Sequence, residues 1–327
     1  MTSSNAYGMH MPQWKKQGLI YSCESREFFK SHATRPVPVL LGDDRLRLYF
    51  SSRGSDDMPY PTYIDVDPNE PGNVLFVNEK PLLNLGRTGT FDDSGVTPVS
   101  ILDEPGRSLM YYVGWKRRRY NVTIETSIGV AYVDHEKGTL QRVYEGPILA
   151  QDPVHPILVA APFVVRDAEE YVMWYCSGTE WRQMEHGPEM LYTVFRATSP
   201  DGFSWKQSPS DPVIPYNFDG EVISAPWIVK TLDGWQMWYS TRGSRTPSEK
   251  NYLIGVAVSG DGTTWRRMDK IAAIGTSMTG WDSEMVCYPA IINIGGRTCM
   301  FYCGNGVGRG GIGYAVADRK LDILDWK

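Results

Sequence analysis

Short apolar stretches of strand length recur along the chain at a fixed spacing. Each begins at a proline, continues through a turn rich in Gly or Asp, and ends in an aromatic pair. A tyrosine follows each of these prolines by 13 residues, in Pro36/Tyr49, Pro98/Tyr111, Pro162/Tyr175, Pro226/Tyr239 and Pro289/Tyr302. Successive prolines are 62, 64, 64 and 63 residues apart. A five-fold repeat therefore covers nearly the whole chain.

Each repeat has the pattern of four short strands. The proline opens the first strand, and proline is tolerated at the first residue of an edge strand because it cannot donate to the ladder. The innermost strand of a propeller blade is such an edge. The pattern predicts an all-β, five-bladed β-propeller with four-stranded blades and scarce helix. As a single domain, 1–327, its blades would span about 32–82, 94–150, 158–215, 222–275, and 285–318 with 14–21.

The N-terminal segment resembles a fourth strand. Trp14 lies 22 residues before Pro36, as Trp205 lies 21 before Pro226 and Trp265 lies 24 before Pro289. The last repeat ends after its third strand. We therefore predict that residues 14–21 complete the fifth blade and close the ring, which removes two sheet edges.

Composition and charge exclude several classes. Hydrophobic content of 42% with 22% charged residues is ordinary for a soluble globular protein. The net charge of −5 gives no attraction to nucleic acid or to anionic membranes. Residues 1–15 contain no apolar segment, and no apolar run is long enough for a membrane span. The five cysteines lack framework spacing, so we expect a cytoplasmic protein without a cofactor or a metal site.

Carboxylates precede the first strand in several repeats. Five positions before the proline the residues are Ser31, Asp93, Ile157, Glu221 and Glu284. Because these loops lie on one rim of a propeller, we expect Asp93, Glu221 and Glu284 to converge on the channel mouth. Such carboxylates repel one another, so we expect at least one carboxyl pKa to rise, which is what a general acid paired with a carboxylate base or nucleophile needs in glycoside cleavage. The alternative is that acids here, including Asp282, are turn residues.

His32 also enters the mouth, as a proton carrier or as an ordinary hydrogen-bonded histidine.

Basic and aromatic residues occupy the opposite loops of the same rim. Arginine suits bidentate recognition of phosphate or carboxylate, and tryptophan can stack on a sugar ring. The alternative for the basic run 116–119 is a solvated loop. We predict an anionic ligand: a phosphorylated or uronic sugar, a sugar nucleotide or free phosphate. The predicted substrate-binding residues are Arg35, Arg53, Trp115, Trp181, Arg182, Arg242, Arg245, Tyr288 and Arg309.

The chain resembles the five-bladed propeller glycosidases: the arabinanase/xylosidase group, the invertase-like group and the mannoside phosphorylases. The resemblance covers all five repeats. The resemblance rests on the proline–tyrosine units, on Phe91-Asp92-Asp93, on Trp281-Asp282-Ser283-Glu284, and on Ser-x-Asp-Gly-x-x-Trp at 199–205 and 259–265. It implies a glycan-active enzyme with acids around a central pocket, in which Asp93 matches a blade-two acid and Glu221 matches a later-blade acid.

The first repeat departs from that resemblance. It has Ser31-His32-Ala33-Thr34-Arg35 where the hydrolases of the first two groups place an aspartate base. An arginine-rich mouth without this acid is closer to the phosphorylase type, in which phosphate replaces water. Our leading hypothesis is a glycoside hydrolase or phosphorylase, with Glu221 or Glu284 as the acid and Asp93 or Asp282 as the activating group. The alternative is a non-catalytic propeller that binds a glycan or a protein.

Overall fold

The structure, a computed structural model, describes residues 11–118, 124–185, 187–207, 211–243, 250–272 and 274–324. These residues form five four-stranded antiparallel sheets arranged as the blades of a propeller. Blade 1 consists of β2 (Ser31–Leu41), β3 (Arg45–Arg53), β4 (Pro59–Val66) and β5 (Val74–Val77). Blade 2 consists of β6 (Val96–Glu104), β7 (Arg107–Arg117), β8 (Ile124–Asp134) and β9 (Thr139–Arg142).

The remaining blades repeat this order. Blade 3 consists of β10 (Val159–Asp167), β11 (Glu170–Met184), β12 (Gly187–Ser199) and β13 (Lys206–Gln207). Blade 4 consists of β14 (Val222–Thr231), β15 (Gly234–Arg242), β16 (Leu253–Ser259) and β17 (Arg266–Arg267). Blade 5 consists of β18 (Cys287–Ile294), β19 (Arg297–Cys303), β20 (Ile312–Ala317) and β1 (Trp14–Tyr21). The predicted five-bladed architecture is confirmed.

The N-terminal strand closes the ring. Strand β1 pairs antiparallel with β20, from Trp14 opposite Ala317 to Tyr21 opposite Ile312. The ring closure predicted from the spacing of tryptophans is thus confirmed. Joining the first strand to the last three protects the edge that β20 would otherwise expose.

Helix is confined to two four-residue turns in the described part of the chain. They are α1 (Asp269–Ala272) and α2 (Asn305–Gly308). Neither these nor any other described segment forms a helix long and apolar enough to cross a membrane. Turn α2 lies against the innermost strand of blade 1, where Thr34 Oγ1 donates a hydrogen bond to the Val307 carbonyl at 2.8 Å.

The innermost strand of each blade carries a β-bulge beside its proline. The pairing of β2, β6, β10, β14 and β18 with the second strand shifts there by a residue. In four blades the residue before the proline has a left-handed backbone, with φ of 61°, 52°, 53° and 58° at Arg35, Ala161, Ala225 and Tyr288. A residue with a side chain rarely adopts this backbone conformation. A β-bulge changes the direction in which that side chain points. The bulges therefore decide which residues reach the channel.

Candidate functional site

A cavity of about 310 Å³ lies where the innermost strands meet. Every blade contributes to its wall, so it is the central site of the propeller. The lining includes His32, Thr34, Arg35, Ser51 and Arg53 from blade 1, Thr97, Val113, Trp115, Ile124 and Thr126 from blade 2, Leu158, Ala160, Cys176, Trp181, Met190 and Tyr192 from blade 3, Ser224 and Tyr252 from blade 4, and Tyr288 and Val307 from blade 5. No Asp or Glu belongs to this described lining.

Arg35 and Tyr288 face each other across the junction of blades 1 and 5. The guanidinium carbon of Arg35 lies over the Tyr288 ring, 4.1 Å from its centroid. No carboxylate of the described residues forms an ion pair with Arg35. The backbone of Arg35 is anchored to blade 5, because its N–H donates a hydrogen bond to Cys303 Sγ at 3.2 Å. A positive group without a protein counter-ion is therefore presented to the cavity, at one of the predicted substrate-binding positions.

His32 is held as a neutral imidazole in the same wall. It is 8% exposed, and its Nδ1 lies 2.8 Å from Ser31 Oγ. The Ser52 hydroxyl donates to the His32 carbonyl at 2.5 Å, which fixes a backbone with φ of 64°. Burial, followed by the positive charges of Arg53 and Arg309, lowers the pKa of His32 to about 4. A neutral imidazole can accept a proton or a hydrogen bond from a ligand.

Two further arginines stand near His32. Arg53 lines the cavity and bonds Asp57 Oδ1 at 2.8 Å, although that carboxylate is 68% exposed at its side chain. Arg309 follows α2, is exposed, and has no ion pair with the described residues. Arg53 and Arg309 therefore act on the neutral His32, and with Arg35 in the same wall they make this side of the cavity electropositive within a net-acidic protein.

Trp115 and Trp181 line the part of the wall that blades 2 and 3 contribute. They lie on the paired strands β7/β8 and β11/β12, which continue past the cavity as two long hairpins. Trp181 is 39% exposed, an unusual exposure for a residue of its size. The predicted contact of both tryptophans with the central site is matched by their position in its wall.

The predicted catalytic carboxylates do not reach this wall. Glu221 is 1% exposed and accepts two hydrogen bonds from Arg267, at 2.6 and 2.7 Å. Thr241 Oγ1 and the Asn217 N–H donate to it at 2.7 Å each. The expectation that residues at this position converge on the channel mouth is therefore wrong for Glu221, because its cationic partner lies on the outermost strand β17.

Asp282 has a comparable environment in blade 5. Lys16 Nζ of the closing strand lies 2.6 Å from Asp282 Oδ2, and Tyr302 Oη donates to the same oxygen at 2.9 Å. Burial opposes ionisation, but the hydrogen bonds from Lys16, Ser277 and Tyr302 outweigh it and lower the pKa of Asp282. The expected rise of a carboxyl pKa through mutual repulsion is not found here, since the neighbours are donors.

The same arrangement recurs in blade 2. Asp92 is fully buried and binds Arg142 at 2.7 Å and Tyr112 at 3.0 Å. Acid, tyrosine and cation thus connect the entry loop, the second strand and the outermost strand, as Asp282, Tyr302 and Lys16 do in blade 5. The interpretation of these acids as residues that fasten the entry loop agrees with this geometry.

The two remaining acids occupy the rim outside the cavity. Asp93 accepts hydrogen bonds from the Gly89 N–H at 2.8 Å and from Ser94 Oγ at 2.7 Å. Glu284 is exposed and lines, with Glu221, a separate open recess of about 490 Å³ on the blade 4 side. Neither belongs to the wall of the central cavity, so the predicted convergence of Asp93, Glu221 and Glu284 on the channel mouth is not observed, although Glu221 and Glu284 share the recess.

Two predicted arginines, Arg182 and Arg242, lie elsewhere. Arg182 binds Glu180 at 2.8 Å and Asp219 at 2.7 Å on the outer side of its hairpin. Arg242 is mostly buried and pairs with Glu189 at 2.7 Å, while its guanidinium lies 5.4 Å from the Tyr252 ring centroid. Arg245 lies outside the described residues. Arg182 and Arg242 thus have protein partners and do not belong to the cavity wall.

Several wall residues were not anticipated from the sequence. The hydroxyls of Thr97 and Thr126 and the indole N–H of Trp115 are buried without a hydrogen-bond partner among the described residues. Tyr192 and Tyr252 share a hydrogen bond between their hydroxyls. Alternation along a strand was the available signal for two of them, since Thr126 lies two residues after Ile124 on β8 and Tyr192 lies two residues after Met190 on β12.

The described residues contain no group of three or more His, Cys, Asp and Glu that could hold a metal ion. The cysteines Cys176, Cys287 and Cys303, near the central channel, are free thiols. Burial raises the pKa of Cys176 and of Cys287, so both are thiols at neutral pH.

Comparison with known proteins identifies one group of relatives by sequence and another by fold. The chain is 32% identical over 306 residues to the uncharacterized protein Rv1502 of Mycobacterium tuberculosis, covering 93% of this chain and 99% of that one. No protein-family model matches. A solved glycoside hydrolase superposes with a TM-score of 0.74 at 20% identity, covering 94% and 92% of the two chains.

A second solved structure shares the same architecture. It comes from work on the GH130 family of mannoside phosphorylases, which contains glycoside hydrolases that target β-1,2 mannosidic linkages in Candida mannan. Its TM-score is 0.69 at 12% identity, and the match covers 97% of each chain. The resemblance to five-bladed propeller glycosidases is thereby confirmed at the level of the fold.

Proposed function

Because the chain belongs to the same family as the uncharacterized protein Rv1502 and has the propeller fold of glycoside hydrolases, we propose that it is a glycan-active protein whose central cavity binds an anionic sugar. One observation carries this proposal: Arg35 enters a central cavity whose described lining contains no carboxylate. A half-buried guanidinium with no ion pair among the described residues favours an anionic ligand.

The neighbours of Arg35 support an anion as well. Arg53 and Arg309 add positive charge on the same side, and His32 stays neutral in their presence. Arg35 is also braced from one side by the Tyr288 ring, which limits the orientations of its fork. A phosphate or carboxylate can accept two parallel hydrogen bonds from such a fork.

The reaction that this geometry favours is cleavage or transfer at a phosphorylated sugar rather than hydrolysis. Hydrolysis by a carboxylate pair needs two acids beside the scissile bond, whereas Glu221 and Asp282 are bound to Arg267 and Lys16. When phosphate is the attacking anion, the arginines stabilise its negative charge. His32 is then the group placed to exchange a proton with a sugar hydroxyl.

A second candidate is a non-catalytic propeller that binds the same anionic sugar. The observation that favours it is again the lack of a carboxylate in the described lining, because most glycosidases depend on one. The two candidates share a ligand and differ in turnover.

Thermal unfolding with a ligand panel tests the shared part. The panel contains inorganic phosphate, glucose 1-phosphate, glucuronic acid, a nucleoside diphosphate sugar and neutral oligosaccharides. A ligand that binds only the folded protein raises its Tm by mass action. We expect a shift with anionic sugars that is absent with neutral ones. A shift with neutral oligosaccharides alone would overturn the proposal.

Product analysis then separates the two candidates. The anionic ligand that raises Tm is incubated with the protein, with and without inorganic phosphate, and the released sugars are quantified. Phosphate-dependent release or transfer supports the enzyme. Binding without turnover, with every acceptor sugar tested, would support the non-catalytic binding protein instead.

A further inference from the structure

The central cavity has two chemically different sides. Its cationic side, from blades 1 and 5, consists of His32, Arg35, Arg53 and Tyr288. Its aromatic side, from blades 2 and 3, consists of Val113, Trp115, Ile124, Leu158, Trp181 and Met190. The ligand proposed above accounts for the cationic side only.

The aromatic side is built by the two long hairpins. Trp115 pairs with Thr126 in the β7/β8 hairpin, and Trp181 pairs with Met190 in the β11/β12 hairpin. Because side chains alternate across a strand, each hairpin directs one row of residues towards the cavity. The two rows belong to neighbouring blades, so they form one largely apolar wall on the blade 2 and blade 3 side of the cavity.

Most of this wall is apolar, and its polar groups are few: the hydroxyls of Thr97 and Thr126 and the indole N–H of Trp115. A sugar presents hydroxyl groups, and Val113, Ile124 and Met190 offer them no side-chain hydrogen bond. Burying hydroxyls without partners is unfavourable. A flat group with a π face stacks on tryptophan, and such stacking is sequence-tolerant for nucleobases.

We propose that the ligand of the central cavity is a nucleoside diphosphate sugar, with its phosphates on the cationic side and its base on the aromatic side. This inference rests on the proposed function and narrows its substrate class. The guanidinium groups of Arg35 and Arg53 in the wall, with the positive charge of Arg309 acting on His32, suit the charge of two phosphates.

Unpartnered polar atoms in this part of the wall favour a nucleoside over an alkyl chain. The hydroxyls of Thr97 and Thr126 and the indole N–H of Trp115 have no partner among the described residues, and the two threonines are 2% and 5% exposed. Buried polar groups are normally hydrogen-bonded. The donors and acceptors of a base or a ribose can satisfy them, and an alkyl chain cannot.

Isothermal titration calorimetry tests the assignment with defined probes. They are inorganic pyrophosphate, glucose 1-phosphate, UDP, UDP-glucose, ADP-glucose and octyl phosphate. We expect a nucleoside diphosphate to bind about tenfold more tightly than pyrophosphate, the gain expected from stacking one base. Trp181→Leu should remove most of this gain while leaving the affinity for pyrophosphate unchanged.

Tyr144→Leu is the matched control, because Tyr144 is 50% exposed and lies outside the cavity lining. It should keep the full nucleotide preference. Retained pyrophosphate binding shows that the Trp181→Leu protein is folded, and Trp115→Leu provides an independent second variant.

The outcomes distinguish this inference from the one it rests on. Equal affinity for glucose 1-phosphate and UDP-glucose, unaffected by Trp181→Leu, would overturn the nucleotide assignment and leave the anionic sugar. A gain in affinity over pyrophosphate that is as large for octyl phosphate as for UDP would overturn the nucleotide assignment in favour of an alkyl group. No binding of any anion would overturn both.

Discussion

The guanidinium of Arg35 lies 4.1 Å from the ring centroid of Tyr288, and both residues have a left-handed backbone immediately before a proline. The two positions are equivalent in blades 1 and 5. Proline disfavours helical conformations in the residue before it, and a side chain makes a positive φ unfavourable. Two equivalent bulges therefore hold, at a cost in backbone strain, the one contact that organises the cationic side of the cavity.

Removal of the Arg35 charge should weaken anion binding. For Arg35→Gln we expect about a tenfold loss of affinity for pyrophosphate, because a hydrogen bond to a charged group contributes roughly 1.5–3 kcal/mol. Calorimetric titration measures it. Arg319→Gln removes an equal charge from an exposed site away from the cavity and should have little effect. Equal losses in both variants would indicate general electrostatics in place of a bound anion.

The pair of Lys16 and Asp282 should stabilise the closed ring. Lys16→Met leaves a carboxylate that is 2% exposed without its cation, so we expect a loss of about 3 kcal/mol in the free energy of unfolding. Chemical denaturation measures this loss. Lys15→Met, on the neighbouring exposed residue, is the control and should lose little. An unchanged denaturation midpoint for Lys16→Met would contradict a stabilising role of the pair.

Glu221 and Glu284 should differ in their effect on stability. Glu221→Ala leaves the Arg267 guanidinium, 6% exposed at its side chain, without one of its two carboxylates, and should cost about 3 kcal/mol. Glu284→Ala removes an exposed group and should change stability by less than about 0.5 kcal/mol. Urea unfolding compares them. A stable, correctly folded Glu221→Ala protein that binds ligand but has lost turnover would instead return Glu221 to catalysis.

His32 should make the folded protein sensitive to mild acid. The pKa of His32 is lowered to about 4 in the folded protein, so the unfolded chain binds the proton more readily. Stability is therefore complete above the unfolded pKa of about 6.5 and falls between about pH 6.5 and 4, by about 2–3 kcal/mol.

The measurement is the free energy of unfolding at pH 7 and pH 4.5 for the wild type and for His32→Gln. The difference between the two proteins should shrink or reverse at the lower pH, since the variant lacks the titrating group. The charged neighbours Arg53, Asp57 and Arg309 are common to both proteins. Parallel pH dependences would exclude His32 as the source.

The position of the repeat tyrosines shows where sequence spacing misleads. Tyr111 and Tyr239 follow their prolines by the same 13 residues, yet Tyr112, not Tyr111, binds an entry-loop acid as Tyr302 does. Tyr111 donates instead to the Gly202 carbonyl of the next blade. The bulge in blade 2 lies between Pro98 and Ser100, and a one-residue shift moves a side chain to the other face of the sheet.

The sequence by itself determined the architecture. Period, proline positions and apolar runs are local properties that every blade must satisfy to pack against its neighbours, and the pairing of Trp14–Tyr21 with the last repeat followed from the same pattern. It also identified Arg35, His32, Trp115 and Trp181 as rim residues, because the entry loops and the loops between the second and third strands belong to one end of a propeller.

Only the tertiary structure decided which rim residues face the cavity. Glu221 and Asp282 are carboxylates, as a catalytic pair requires, but each forms an ion pair with a cation from an outermost strand. Glu221 pairs with Arg267 and Asp282 pairs with Lys16, and both cations are distant in sequence. Within the part of the chain that the structure describes, Arg35 has no such partner. A buried charge is stabilised by whichever opposite charge lies within a few ångströms, and that distance depends on bulge geometry and blade packing, which the spacing of residues along the chain does not contain.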